Sequence, residues 1–304
     1  MKGQRIAQGR LWQRTAVQRT STRRRTPQAR VRRALLYLLV LGIAVFLLFP
    51  IYWAAKTAVS PDQEIYATPA AYLPRHFTTQ HLANALSDPR FVRSIVNSVI
   101  VGASVTVISV LFGAFAAYAL GRFQFRGRMS LRYVILAMSI FPNIAILASL
   151  YKVLTTTHLY NTLPALIVTY LIFILPFTVW TLASFFQQLP KELEEAAYID
   201  GASSMQTFWR VIMPLAAPGL GATAILAVIA AWNEYLFALS FESDSSNWTV
   251  PVMISNIGAQ SSAYTIPWGD EMAASLIVML PVIALVLLLQ RWIVAGLTGG
   301  SVKG

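Results

Sequence analysis

Six apolar runs of about 20 residues limit what this chain can fold into. They cover residues 35–55, 94–119, 131–151, 162–186, 215–239 and 272–294. A helix of about 20 apolar residues crosses the roughly 30 Å hydrocarbon core of a bilayer. Only 12% of the residues are charged, against about 25% in soluble domains. The sequence therefore predicts an all-α membrane protein with six transmembrane helices.

The positive charges are unevenly distributed between the two sides of these predicted spans. Eleven of the 24 Lys and Arg lie in residues 1–34, and the segments on that side of the membrane hold nineteen in all. The opposite side holds the remaining five. Because Lys and Arg accumulate in cytoplasmic segments, both termini are predicted to be cytoplasmic. The basic tail also has the composition of a transit peptide, a nucleic-acid-binding arm or a segment held by anionic lipid. An orientation signal without fixed structure is the interpretation that we prefer, and we expect no nucleic-acid partner.

A polar island interrupts the apolar sequence between the fourth and fifth spans. It covers residues 187–214 and reads QQLPKELEEAAYIDGASSMQTFWRVIMP. Pro190 suits the first position of a helix, the glutamates after it suit the first turns, and Gly201 suits the end. This predicts a helix over 191–202 that exposes Ala196, Ala197 and Gly201 among carboxylates. Such a surface suits close docking to a partner.

A second helix is predicted in the same island. Ser203 followed by Gln206 is a capping-box pattern. Apolar side chains then recur at helical spacing, which predicts one apolar face. The members of that face are Met205, Phe208, Trp209 and Ile212. Pro214 is predicted to end this helix where the fifth span begins.

Several kinds of chemistry are excluded or disfavoured by residue content. The chain has no cysteine, so disulfides and thiolate metal sites are impossible. Its three histidines fall between the spans, so we do not expect a buried imidazole site. No Gly-x-x-x-x-Gly-Lys-Ser/Thr motif is present, so the chain lacks the loop that cradles ATP phosphates. We expect no cofactor on this chain, no bound metal and no enzyme activity.

The island resembles the cytoplasmic "EAA" motif of permease subunits from binding-protein-dependent ABC importers. Glu195-Ala196-Ala197 is followed by Gly201 at the family's spacing, and Pro214 stands where the motif ends. Val211 and Met213 replace the family's Ile and Leu and conserve size and polarity. Three further segments resemble the carbohydrate branch, which imports maltose- and trehalose-type sugars. They are YALGRFQFRGR (118–128), WNEYLFALSF (232–241) and LLQRWIVAGLTGGSVKG (288–304).

The resemblance implies a type I importer (MetI-like) permease fold. It also implies a complex with a second homologous permease subunit, two ATPase subunits that bind ATP and Mg²⁺, and an extracytoplasmic sugar-binding protein. The helix over 191–202 would be the coupling helix that sits in a cleft of the ATPase. The residues implied in that contact are Glu195, Ala196, Ala197, Asp200, Gly201 and Pro214. The membrane would be the inner membrane of a bacterial or archaeal cell.

The predicted organisation follows from these boundaries. A basic tail (1–34) precedes the first span (35–55) and an extracytoplasmic segment (56–93). A five-helix permease core (94–294) contains the island, and a short C-terminal tail (295–304) follows.

Candidates for the substrate pathway are polar residues in or beside the spans. Glu234 is the one clear carboxylate, with Trp232 and Asn233 beside it, and Asn143 lies in the third span. An interfacial carboxylate, an aromatic belt and an interhelical hydrogen bond are structural explanations for the same residues.

Two other classes of membrane protein would require different sequence patterns. A stand-alone secondary transporter needs ion or proton sites within the membrane, and an integral membrane enzyme needs clustered catalytic side chains. Neither pattern is found, so a sugar-importer permease subunit is the prediction and a secondary transporter of a small polar solute is the alternative.

Overall fold

The computed structural model describes residues 27–259 and 266–298, and within these ranges the chain forms helices and no strands. The predicted tails therefore lie partly outside the described residues, at 1–26 and 299–304. The first half of the described chain contains α1 (Pro27–Ala58), α2 (Asp62–Ile65), α3 (Gln80–Ser87), α4 (Pro89–Arg122), α5 (Arg128–Ile140), a 3₁₀ turn (Asn143–Ile146) and α6 (Leu147–Thr156). The second half contains α7 (Leu163–Gln188), α8 (Glu192–Ile199), α9 (Ser204–Thr207), a π turn (Phe208–Ile212), α10 (Met213–Leu215), α11 (Ala217–Trp232), α12 (Leu236–Phe241), α13 (Val250–Ala259) and α14 (Trp268–Thr298).

Four of these helices are long and apolar enough to cross a membrane. They are α1, α4, α7 and α14. Two bent pairs bring the possible number of spans to six: α5 with the 3₁₀ turn and α6, and the helical run 204–215 with α11. The six apolar runs of the sequence therefore overlap with these four helices and two bent pairs.

The third apolar run is broken near its middle, and a second bend lies at the start of the fifth. The third bends by 90° between Ile140 and Asn143, because Phe141 precedes Pro142 and takes an extended conformation, as residues before proline commonly do. The fifth bends by 75° near Ala216. Pro214 does not end the helix before it, because proline is tolerated in a first helical turn, which is where it lies in α10.

Residues 27–51 of α1 form a compact unit by themselves. From Val31 to Pro50 every side chain except that of Ala44 is exposed. Its most apolar stretch has a mean hydropathy of 2.8, and none of the residues in that stretch is buried. An apolar helix with so little buried surface is suited to contact with lipid tails.

Helices α4 and α7 pack closely against each other in the second unit, residues 52–304. A Cβ atom on Gly113 would lie 2.7 Å from Cγ2 of Thr178, so these helices approach as closely as a glycine allows. Ala114 and Ala117 are buried at the same interface. Small residues in the second span thus permit the close approach of the two helices. Gly102 differs, because it lines a cavity of about 190 Å³ beside α11 and α14.

His81 contradicts the expectation that no imidazole is buried. Only 6% of the residue is exposed. Its Nδ1 lies 2.8 Å from Oδ1 of Asp270, and its Nε2 lies 3.2 Å from the carbonyl oxygen of Ser60. The ring packs directly on Gly269, where a Cβ would lie 2.4 Å away. The histidine thus joins α3 to the start of α14, a contact that spans 189 residues and leaves no local signal in the sequence.

Candidate functional site

Helix α8 begins at Glu192 and ends at Ile199, so it is shorter than the predicted 191–202. Pro190 lies before the helix rather than at its first position. The helix ends in a Schellman motif. The Ala202 N–H donates to the Ala197 carbonyl at 2.9 Å and the Gly201 N–H donates to the Tyr198 carbonyl at 3.0 Å. Gly201 has a φ of +82°, so the prediction that it terminates this helix is confirmed.

The capping box at the second island helix is also confirmed. Oγ of Ser203 accepts from the Gln206 N–H at 3.3 Å, and the Gln206 side chain accepts from the Ser203 N–H at 2.8 Å. These two bonds satisfy backbone donors that a helix start leaves unpaired. The turn between α8 and α9 is therefore fixed on both sides, by Gly201 and by Ser203.

Only two of the four side chains predicted for the apolar face of the second helix are buried. Phe208 and Ile212 are buried, whereas Met205 and Trp209 are 57% and 45% exposed. The π turn over 208–212 is wider than an α-helical turn, so side chains no longer follow the 3.6-residue period. Phe208 stacks on Phe115 of α4 with ring centroids 4.9 Å apart. This contact fixes the second half of the island against the membrane helices.

Helix α8 divides the "EAA" residues between two faces. Glu195 and Ala196 are exposed, whereas Ala197 is buried, so the prediction that Ala197 lies on the surface was wrong. Ile199 is 87% exposed, although it is a large apolar residue, and Asp200 beside it is exposed too. We call Glu195, Ala196, Ile199 and Asp200 the outer face of α8. This face therefore presents one large apolar side chain between two carboxylates.

Arg122, the last residue of α4, holds the start of the island. Its Nε donates to Oε1 of Glu194 at 2.9 Å. Its Nη1 donates to the carbonyl oxygens of Phe186 and Leu189 at 3.3 and 2.8 Å, and its Nη2 donates to that of Pro190 at 3.1 Å. Sequence reasoning treated Arg122 only as one of the charges that orient the spans. The ion pair joins residues 72 positions apart, so no spacing pattern could reveal it.

The proposed pathway residues near the end of α11 make local bonds. The Glu234 carboxylate accepts from the Phe237 and Ala238 N–H groups at 3.0 and 3.2 Å, which caps the start of α12. The Asn233 amide donates to the Ile229 carbonyl at 2.8 Å. Trp232 is buried in an apolar cluster. Each of these side chains thus has a structural role at this end of the bundle.

Asn143 lies at the start of the 3₁₀ turn, within the break of the third span. It lines a cavity of about 350 Å³ whose other walls are largely apolar. Among the described residues, no hydrogen bond joins Asn143 to the group at 232–234. The structure therefore does not bring the four candidates together into one site.

Glu242 was missed by the sequence interpretation, which took Glu234 as the one clear carboxylate near the spans. It follows α12 and is only 4% exposed. Neither carboxylate oxygen makes a hydrogen bond of regular geometry in the described structure. Burial raises the pKa of Glu242 to about 8, with a smaller contribution from the negative charge of Glu234, while the Thr249 backbone N–H opposes the rise. The signal available in the sequence was a carboxylate directly after an apolar run.

A pH-dependent effect on stability follows from this burial. The folded protein holds a proton on Glu242 between its ordinary pKa of 4.5 and about 8, and the unfolded chain does not, so the stability that this group contributes falls as the pH rises through that window. Glu242→Gln mimics the protonated form. We expect the free energy of unfolding of the variant to match that of the wild type near pH 5 and to exceed it at pH 8 by about 4 kcal/mol, since one pKa unit corresponds to about 1.4 kcal/mol and the pH rises by about three units.

Thermal unfolding of the purified protein in detergent at several pH values measures this difference. Glu64→Gln is the control, because the pKa of the Glu64 carboxyl is lowered rather than raised, chiefly by the Arg75 backbone N–H. A stability difference between Glu242→Gln and the wild type that is constant from pH 5 to pH 8 would contradict the assignment.

Comparison with known proteins identifies the family. Residues 109–299 match the model of the binding-protein-dependent transport system inner membrane component. The chain is 39% identical over 276 residues to the trehalose/maltose transport system permease protein MalG of Thermococcus litoralis, covering 90% of this chain and 98% of that protein. It is 38% identical over 271 residues to the trehalose transport system permease protein SugB of Mycobacterium tuberculosis, covering 89% and 97%.

A solved structure confirms the fold class. A chain of a bacterial ABC transporter involved in the import of the acidic polysaccharide alginate superposes with a TM-score of 0.77 at 21% sequence identity. The match covers 88% of this chain and 98% of the other, so the two chains share a fold over most of their length. The chain therefore belongs to the family of inner-membrane components of binding-protein-dependent transport systems, as a multi-pass permease subunit and not an enzyme.

Proposed function

We propose that this permease subunit forms half of the pathway by which an ATP-driven importer moves a di- or oligosaccharide, maltose or trehalose, across the membrane. The sugar would arrive on an extracytoplasmic binding protein. A second homologous permease subunit would supply the other half of the pathway, and a pair of ATPase subunits would bind ATP and Mg²⁺. Both termini and the island would face the cytoplasm, as the distribution of Lys and Arg favours.

The outer face of α8 is the observation that carries the coupling part of this proposal. Glu195, Ala196, Ile199 and Asp200 are exposed on a helix whose opposite side is fixed by Ala197 and by the Arg122–Glu194 pair. A rigid helix that presents an apolar side chain between carboxylates can enter a cleft without losing much conformational entropy. Gly201 and Pro214, at the ends of α8 and of the island, would shape the same contact.

The proposal of maltose or trehalose as the sugar rests on the similarity to other permease proteins. Permease proteins named for trehalose and maltose transport match the chain over nearly their full length. For the substrate pathway we propose Asn143, Trp232, Asn233 and Glu234. Of these, Asn143 faces an open cavity, whereas the other three also make the local contacts described above.

Co-purification with the ATPase tests the proposed function. We expect a complex of both permease subunits and the ATPase to hydrolyse ATP faster when binding protein loaded with maltose or trehalose is added. Glu195→Lys reverses a charge on the outer face of α8 and should reduce ATPase recovery by about tenfold, as expected for a central interface residue worth more than 1 kcal/mol.

Asp244→Lys is the control, because it reverses the charge of an exposed residue at the other end of the bundle. It should leave ATPase recovery unchanged. If the wild-type chain never retains the ATPase, the importer role fails and a stand-alone transporter becomes the better explanation.

A further inference from the structure

We infer that the Arg122–Glu194 pair transmits movement of α8 to the membrane helices α4 and α7. This assignment rests on the proposed coupling role of α8 and names the residues through which the coupling acts. Arg122 is a positioning residue: it would contact neither sugar nor ATP, and it would act through the helix that meets the ATPase.

The guanidinium joins three elements at one point. Arginine carries five N–H donors in a rigid plane, and here they reach the Glu194 carboxylate on α8 and three backbone carbonyls around the end of α7. The last carbonyls of a helix lack their regular partner within the helix, and Arg122 donates to one of them, that of Phe186, and to those of Leu189 and Pro190 just beyond α7. Its own backbone is the last turn of α4.

The junction between α4 and α7 at this point is too tight to absorb a displacement. A Cβ on Gly121 would lie 3.2 Å from the Ala183 carbonyl oxygen and 3.2 Å from Cβ of Phe186. One turn earlier, the Tyr118 ring packs against Phe186 and Phe208 at centroid distances of 6.1 and 5.0 Å. Closely packed interiors transmit strain because they have little free volume. A shift of Arg122 would therefore move α4 and α7 together.

The pair is also shielded from water. Only 3% of the Arg122 side chain and 12% of the Glu194 side chain is exposed. Removing one partner of a buried pair leaves the other charge without compensation. Within the described part of the chain, this is the one ion pair between α8 and a membrane helix. Other carboxylates of the first turn of α8, such as Glu192, are exposed.

Two alanine variants separate this role from a general effect of charge. Glu194→Ala breaks the pair and leaves the carbonyl contacts of Arg122 in place, whereas Glu192→Ala removes the same charge from an exposed position of the same helix. The measurement is the ratio of ATPase activity with loaded binding protein to basal activity, in the reconstituted complete complex. We expect Glu194→Ala to lower this ratio by about tenfold, within the range found for substitutions that alter coupling. Glu192→Ala should change it by less than about twofold.

Conservative variants test the hydrogen-bond geometry. Glu194→Gln should keep most of the stimulation, because its amide oxygen can accept the same bond from Nε of Arg122. Arg122→Lys should lose it, because one ammonium group cannot reach Glu194 and the α7 carbonyls at the same time. In both variants the ATPase should remain bound and basal hydrolysis should persist.

The outcomes that overturn the inference are separate from those that overturn the proposed function. Equal stimulation in Glu194→Ala and Glu192→Ala would refute the role of the pair. Loss of the ATPase from the Glu194→Ala complex would also refute it, because Glu194 would then act in ATPase binding rather than in transmission. The proposed function depends instead on whether the wild-type complex holds a stimulated ATPase.

Discussion

Gly201→Val should strongly reduce sugar uptake while the protein still inserts into the membrane. Gly201 has a φ of +82°, a conformation that costs a residue with a side chain about 1–2 kcal/mol and is least tolerable for a β-branched one. The strain falls on the Schellman bonds that end α8, so the orientation of its outer face would be lost. We expect uptake to fall at least about tenfold, the change that corresponds to roughly 1.4 kcal/mol.

Gly201→Asn is the matched control, because asparagine adopts positive φ more readily than other residues with side chains. A Cβ at this position meets nothing within 4 Å in the chain itself, so the asparagine side chain has room. Uptake of labelled maltose or trehalose in cells, with membrane protein levels measured in parallel, compares the variants. If Gly201→Asn fails as completely as Gly201→Val, close approach of the ATPase matters more than the backbone conformation.

Gly113→Leu should prevent stable assembly of the helix bundle. The new Cβ would lie 2.7 Å from Cγ2 of Thr178, and Thr178 is fully buried with its hydroxyl bonded to the Ile174 carbonyl at 2.9 Å. The threonine cannot rotate away without breaking that bond. Overpacking of a buried site costs typically 1–3 kcal/mol, and we expect a loss of about 3 kcal/mol because both helices are affected.

Gly102→Leu provides the comparison on the same helix. Gly102 is buried as well, but it lines the cavity of about 190 Å³ and a Cβ there meets nothing within 4 Å. The larger side chain should therefore be accommodated with little loss. Thermal unfolding in detergent, together with the yield of monodisperse protein, distinguishes the two variants. Equal destabilisation by both would show that α4 tolerates no bulk anywhere along its length.

Local sequence patterns were sufficient to predict the structural features that depend on residues close together in the sequence. Apolar run length placed the six membrane-crossing regions, because the bilayer sets the number of residues that a span needs. The capping box of Ser203 and Gln206 and the helix stop at Gly201 were predictable, because capping bonds join residues only a few positions apart. The "EAA" spacing pointed to the permease family for the same reason.

Breaks within helices were predicted poorly. The 90° bend of the third span follows the extended residue before Pro142, whereas the 75° bend of the fifth falls near Ala216 rather than at Pro214. A proline marks where a helix can bend. The packing of the neighbouring helices decides whether it does so and by how much.

The functional contacts between distant residues were decided by tertiary structure alone. The burial of Ala197, the pairing of Arg122 with Glu194 and the burial of His81 and Glu242 each depend on which helices become neighbours. Sequence by itself determined the membrane-spanning architecture, the helix stop at Gly201, the capping box at Ser203 and the family, because each follows from residue type and short spacing. Only the tertiary structure could determine which face of α8 is exposed and which is fixed to the membrane helices. In a helix of mixed polarity, the neighbouring elements decide which face is buried, because the helix's own composition does not.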